Sequence, residues 1–143
     1  MEVESKVKKN PRVVVGVLIV NGGEILLARA KKWADKWAVI GGHIEWGETM
    51  IDAVKRESKE ETGLDVFDVE FLKAQENIFP KDYYEERHFI MLDFICNSKS
   101  RDVFLNEELQ EFKWIKAEDA LKLTLQDNTR IFVENYMKSK SKN

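Results

Sequence analysis

The sequence predicts one α/β domain in which a mixed β-sheet lies between helices. Three observations point there. Strand-like and helix-like segments alternate along a short chain. "RVVVGVLIVN" (Arg12–Asn21) is β-branched and apolar on both alternating sets of positions, as expected for a strand covered on both faces. The 143 residues suit a single domain, 1–143, with one sizeable core.

The elements follow in order. Pro11 precedes the first strand and the turn "NGG" (Asn21–Gly23) ends it, so "EILLAR" returns as the second arm of a hairpin. "KKWADK" (Lys31–Lys36) reads as a loop, and "WAVIGG" as one short strand ending in glycines. Thr49 to Thr62 is the strongest helix, with Thr49 as N-cap, Asp52 three residues on and Gly63 as its stop. "DVFDVEFLKAQENIF" is a long strand ended by Pro80, and "RHFIMLDFIC" is its partner. "EFKWIKA" is a further strand, with Phe112 and Trp114 as core. A short helix follows at Glu118–Lys122, and "DNTRIFVENYMK" forms a last helix. The basic ends, about 1–10 and 138–143, read as frayed.

Composition excludes several classes of function. Net charge is −3 and no run of like charge is long enough for a nucleic-acid arm. The longest apolar run, Val13 to Val20, is too short for a membrane span, and nothing resembles a signal peptide. One cysteine, Cys96, allows no internal disulfide and sits in an apolar run. A cytoplasmic location is the expectation.

The chemistry concentrates in "GGHIEWGETMIDAVKRESKEETGL" (Gly41–Leu64). At about 100° per residue, Glu57 and Glu61 lie about 40° apart on a helix, and Glu60 about 60° to the other side, so the three share a stripe. Ile51, Val54 and Ser58 form the neighbouring, core-facing stripe. Crowded carboxylates at a partly buried edge are costly unless paired or bound to a cation, and hard divalent cations take oxygen ligands. A lone "KEE" reads as a solvated face. Here, though, Gly42, Glu48, Arg56, Glu57, Glu60, Glu61 and Gly63 stand at fixed intervals, closing on Leu64. Chance agreement at so many fixed positions is rare.

This pattern resembles the signature box of the Nudix hydrolases, spanning 42–64, and the order of strands around it resembles the Nudix fold. One position departs: Ser58 stands where the family carries an aliphatic residue. The resemblance implies a Nudix-type α/β/α sandwich and a Mg²⁺ or Mn²⁺ site. Its ligands would be Glu57, Glu60, Glu61 and the Gly42 carbonyl, with Glu48 paired to Arg56. It implies Glu57 or Glu60 as general base, with a glutamate outside the box as an alternative; Glu85, Glu86, Glu107 and Glu108 are candidates.

The implied activity is hydrolysis of a nucleoside diphosphate linked to a further group. The segment Asn106–Arg130 resembles bacterial Nudix nucleoside triphosphatases, which favours triphosphates cleaved to monophosphate and pyrophosphate. Pro80, sixteen residues past Leu64, fits ADP-ribose or another nucleotide sugar instead. A catalytically silent nucleotide-binding domain is the alternative of another class, and the complete set of box carboxylates weighs against it. Expected substrate contacts are Arg29, Tyr83, Tyr84 and His88, with Lys31 and Lys32 as further cations; His43 reads as structural or pocket-lining. The expected partner is a small-molecule nucleotide, not nucleic acid or a membrane, and the protein would act as a monomer or homodimer.

Overall fold

The computed structural model describes residues 9–141. Its strands are β1 (Arg12–Asn21), β2 (Glu24–Arg29), β3 (Trp37–Ala38), β4 (Ile40–His43), β5 (Val66–Ile78), β6 (His88–Ser98) and β7 (Glu111–Ile115). Its helices are α1 (Met50–Thr62), α2 (Ala117–Ala120) and α3 (Asp127–Ser141), with a 3₁₀ turn at Lys31–Trp33.

The strands form one mixed sheet in the order β3-β2-β1-β6-β5, with β4 also on β1 and β7 also on β2. β1 and β6 run parallel from Arg12↔Phe89 to Val20↔Asn97, and the other pairings are antiparallel. β1 is covered on both faces, as its apolar run requires. Val15, Val17 and Ile19 pack with Ala53 and Val54 of α1 and with Leu64. Leu18 points the other way, with Ile25 and Leu27 of β2 and Phe132, Val133 and Tyr136 of α3. The sheet therefore lies between α1 and α3. No described helix is long and apolar enough to cross a membrane.

The edge of β1 is shared. β2 pairs with it only at the hairpin, Val20↔Ile25 and Asn21↔Glu24, then diverges toward β3 and β7. β4 takes the vacated edge, from Val14↔His43 to Val17↔Ile40. The segment expected as one strand is thus two, parted at Val39, whose N–H donates to Thr129 Oγ1 at 3.1 Å. A strand that changes partners must break its ladder at the crossing residue.

Other expectations are corrected. Ile51 is 47% exposed, because the buried side of α1 begins only at Ala53. Phe112 is also exposed, and Trp114 is half-buried, its Nε1 donating to the Arg101 carbonyl at 3.2 Å. Lys138 to Ser141 are not frayed but continue α3. Lys138 and Lys140 lie in its last turn, where cations oppose the helix dipole, and Lys140 Nζ sits 5.4 Å from the Tyr136 ring centre. The remaining terminal residues, 1–8 and 142–143, lie outside the described part. Cys96 is fully buried, which pushes its thiol up to about 12. Ser58 is fully buried on α1, and its hydroxyl donates to the Val54 carbonyl at 2.7 Å, so the polar atom is satisfied within the helix.

Candidate active site

The loop from β4 to α1 and the C-terminal half of α1 carry the acidic cluster. Thr49 caps the helix, its Oγ1 accepting from Asp52 N at 3.0 Å, and Gly63 ends it in the left-handed conformation with φ of 75°. The two glycines of β4 are required by close approach. A Cβ on Gly41 would lie 2.0 Å from the Val15 carbonyl oxygen, and one on Gly42 would lie 2.4 Å from the Glu57 carboxylate. β4 is thereby pressed between β1 and α1.

Arg56 organises the carboxylates. Its Nε and Nη2 donate to Oε2 and Oε1 of Glu48 at 2.7 and 3.0 Å, a two-pronged pair that fixes the loop to the helix. Nη2 also donates to the His43 carbonyl at 2.9 Å. Nη1 is shared between Glu57 Oε2 at 3.0 Å and Glu60 Oε1 at 3.1 Å. The guanidinium holds the Glu48 carboxyl below the usual range. Glu57 moves the opposite way: burial raises it more than Arg56 lowers it.

Glu61 is buried beneath β4, and its Oε1 accepts from Gly41 N at 3.1 Å. Burial pushes its carboxyl up to about 8, opposed by the charge of Lys32 and reinforced by Glu57. Buried oxygen donors whose ionised form lacks a full counter-charge suit a hard cation. As placed, no three acidic, His or Cys side chains among the described residues converge on one point. The reason is visible: Glu57 and Glu60 turn to Arg56, and Glu61 turns to Gly41.

These residues form one end of a cleft of about 450 Å³, the size of a small-ligand site. The parting strands β1 and β2, with β4 on the vacated edge of β1, supply much of its lining, including Val14, Gly16, Ala28 and Gly41. One wall is aromatic. Tyr83 meets Trp33 at 4.5 Å with the rings tilted by 57° and meets Phe89 edge-on at 5.0 Å, with Tyr84 4.9 Å away. The loop after Pro80 is pinned there by Tyr84 N donating to Lys32 O at 3.0 Å and by Lys36 Nζ donating to Asp82 Oδ2 at 3.0 Å.

The cleft brings Glu57, Glu60, Glu61, Gly42, Tyr83 and Tyr84 together, with His43, Lys32 and Glu108. Lys31 and Glu107 line a groove beside it. Glu48 supports the site through Arg56. Arg29 and His88 do not line it. Both stand on strands, where neighbouring residues face opposite ways. Ala28 and Ala30 line the cleft, so Arg29 turns to Glu111, 2.5 Å away. Phe89 and Met91 line it, so His88 does not. Glu85 and Glu86 also lie off the lining. His43 Nε2 accepts from Arg12 Nη1 at 3.2 Å, and burial followed by Arg12 lowers its pKa.

Sequence reasoning missed the polar floor. Asp93, Gln126, Asn128 and Thr129 all line the cleft and are buried. The available signal was Asp93 itself, an acid inside the apolar run "HFIMLDFIC".

A family model for the NUDIX domain matches residues 10–136. The chain is 35% identical over 130 residues to nucleoside triphosphatase NudI of Enterobacter sp. (strain 638), covering 84% of this chain and 92% of that protein. It is similar in structure to the MutT NUDIX hydrolase from Burkholderia pseudomallei, with a TM-score of 0.77 and 29% identity over 89% of this chain and 98% of that one. The MutT protein from Methanosarcina mazei Go1 gives a TM-score of 0.77 at 28% identity over 94% and 99% of the two chains.

Proposed function

This chain belongs to the Nudix family of phosphoanhydride hydrolases, and on that premise we propose that it cleaves nucleoside triphosphates to the monophosphate and pyrophosphate. The observation that carries the reading is the cleft itself: the box carboxylates, an aromatic wall and a polar floor line one space of about 450 Å³. That layout suits one polyphosphate and one base. The similarity to a nucleoside triphosphatase over 92% of its length supports the same substrate class.

Nudix hydrolases use divalent cations. In this reading Glu57, Glu60, Glu61 and the Gly42 carbonyl hold Mg²⁺, with Mn²⁺ as an alternative. When bound, the cation screens the polyphosphate from the carboxylates and acidifies water. The chain supplies the rest. Glu48 fixes Arg56, and Arg56 fixes Glu57 and Glu60 at the helix surface. Lys32, between the carboxylates and the aromatic wall, takes a phosphate oxygen; Arg29 is committed to Glu111. Glu57 or Glu60 takes the proton of the attacking water as its oxygen bonds to phosphorus and the bond to the leaving phosphate oxygen breaks. Glu108, which also lines the cleft, is the alternative base from outside the box. Tyr83 and Tyr84 bound the nucleoside.

The reading includes a cytoplasmic enzyme, monomeric or homodimeric, acting on free nucleotides. The nucleotide-sugar alternative rested on Pro80. That proline ends β5 and starts the loop that seats Tyr83, whose N–H donates to the Pro80 carbonyl at 3.4 Å, so the fold accounts for it without a substrate. Side-by-side assays with Mg²⁺ decide the matter. Pyrophosphate release from one or more triphosphates is expected. An ADP-ribose kcat/KM at least about tenfold above every triphosphate would reverse the assignment.

A further inference from the structure

The floor of the cleft holds a buried carboxylate that the hydrolytic chemistry does not use. Asp93 lies on β6, 3% exposed, and its Oδ2 accepts from Gln75 Nε2 at 2.7 Å. Gln75 is fully engaged: Nε2 also donates to the Asn128 carbonyl at 2.9 Å, and Oε1 accepts from Asn128 Nδ2 at 2.8 Å. Asn128 Oδ1 is likewise taken, by Asn77 Nδ2 at 2.6 Å and Gln126 Nε2 at 3.0 Å. The network ties β5, β6 and α3 together and leaves one acceptor unspent. Asp93 Oδ1 takes no hydrogen bond from the described residues. It lies beside Gly16, where a Cβ would stand 2.9 Å from it. Both residues line the cleft, so the missing side chain at position 16 opens that oxygen to a ligand.

We propose that Asp93 is a base-reading residue, whose Oδ1 accepts a hydrogen bond from an exocyclic amino group and so favours cytosine or adenine nucleotides over their keto counterparts. The inference rests on the nucleotide reading of the cleft and names the substrate within it. An ionised carboxylate with one oxygen held by Gln75 offers only acceptors. A 4-amino or 6-amino group satisfies it. A keto oxygen placed there leaves two acceptors facing each other in a buried site, an arrangement that discriminates strongly.

The selection depends on the charge of Asp93. Burial raises its carboxyl to about 7, against lowering by Gln75 and by Lys73, the residue opposite it on β5. Gly16 on β1 and Asn128 on α3 bring no charge to it. Protonation converts the carboxyl into a donor able to meet a keto oxygen, so the amino preference grows as pH rises through about 7.

The test compares amino and keto pairs, which differ at that position and in the proton on the adjacent ring nitrogen: dCTP with dUTP and dATP with dITP, by kcat/KM at pH 6 and pH 8.5, in the wild type and in Asp93→Asn. Binding of dCMP and dUMP is measured alongside by calorimetry. The wild type should prefer the amino partner in both pairs, more at pH 8.5 than at pH 6. Asp93→Asn, which presents a donor as well, should cut that ratio about tenfold or more and remove its pH dependence. Equal ratios in the two proteins, or a uniform loss for all four nucleotides, would show that Asp93 only holds the fold together. Should Asp93→Asn not fold, a wild-type ratio that stays flat with pH overturns the proposal, and one that rises supports it. Preferential binding of dCMP without triphosphate hydrolysis would sustain base reading while overturning the triphosphate assignment.

Discussion

A methyl group at position 42 would lie 2.4 Å from both Cδ and Oε2 of Glu57, far inside van der Waals contact. The clash is with the end of a side chain, not with backbone, so the chain can relieve it by swinging Glu57 away. Gly42→Ala should therefore keep its melting temperature within a few degrees and lose activity about 100-fold, since a misplacement of about 1 Å at a reacting centre costs that much. Thermal melts and single-turnover rates check both halves. Activity near wild type would mean that Glu57 is free to do its work from another position. Arg29 and His88, expected from the end of β2 and from the β6 wall, lie off the cleft lining, because which side of a strand faces the cleft depends on strand pairing that no local pattern reveals. Asp93 was overlooked for the converse reason: a single acid in an apolar run reads as an exposed edge until β5 and α3 are seen to cover it.

At the scale of elements, α1 and its entry loop were legible because their chemistry is local. The cap at Thr49, the stop at Gly63 and the Glu48–Arg56 pair join residues close in sequence, and spacing alone specifies such contacts. The three-glutamate stripe was legible too, but not its partners: Arg56 draws Glu57 and Glu60 outward while Gly41 receives Glu61. The break at Val39 was hidden, because it follows from the splaying of β1 and β2 and from a hydrogen bond to Thr129 on a helix ninety residues away. Arg56 gives this scale its prediction. It makes five hydrogen bonds, to Glu48 twice, Glu57, Glu60 and the His43 carbonyl. A lysine keeps the charge but has no planar fork to match the Glu48 carboxylate. Arg56→Lys should lower the melting temperature by several degrees and raise KM for the metal ion, because the loop and the two glutamates lose their common anchor. A variant indistinguishable from wild type in both measurements would reduce Arg56 to a surface cation.

For the whole molecule, the buried acids set how stability responds to pH. Asp93 is held at about 7 and Glu61 at about 8, both raised chiefly by burial, and Glu57 shifts the same way. A folded-state pKa above the unfolded one means that the folded protein binds more protons in that window. Its contribution to stability is full below the unfolded carboxylate range, about pH 4, and is lost as pH rises through the folded values. Glu48 works in the opposite sense, but its depressed pKa confines that effect to acid pH. With metal removed by chelator, the melting temperature should therefore fall between about pH 5 and pH 9, against the common expectation of a plateau near neutrality. Asp93→Asn removes the buried charge near neutrality and should flatten the first part of that fall. Added Mg²⁺ should raise the melting temperature more at pH 9 than at pH 5, because a ligand stabilises by its affinity for the folded state and Glu61, held at about 8, is ionised only at the higher pH. Melts at pH 5, 7 and 9, with and without Mg²⁺, read all three effects. A chelated protein that grows more stable from pH 5 to 9 would show that these acids are solvated and ionised throughout, and the cleft floor and carboxylate cluster would then be far wetter than their burial indicates.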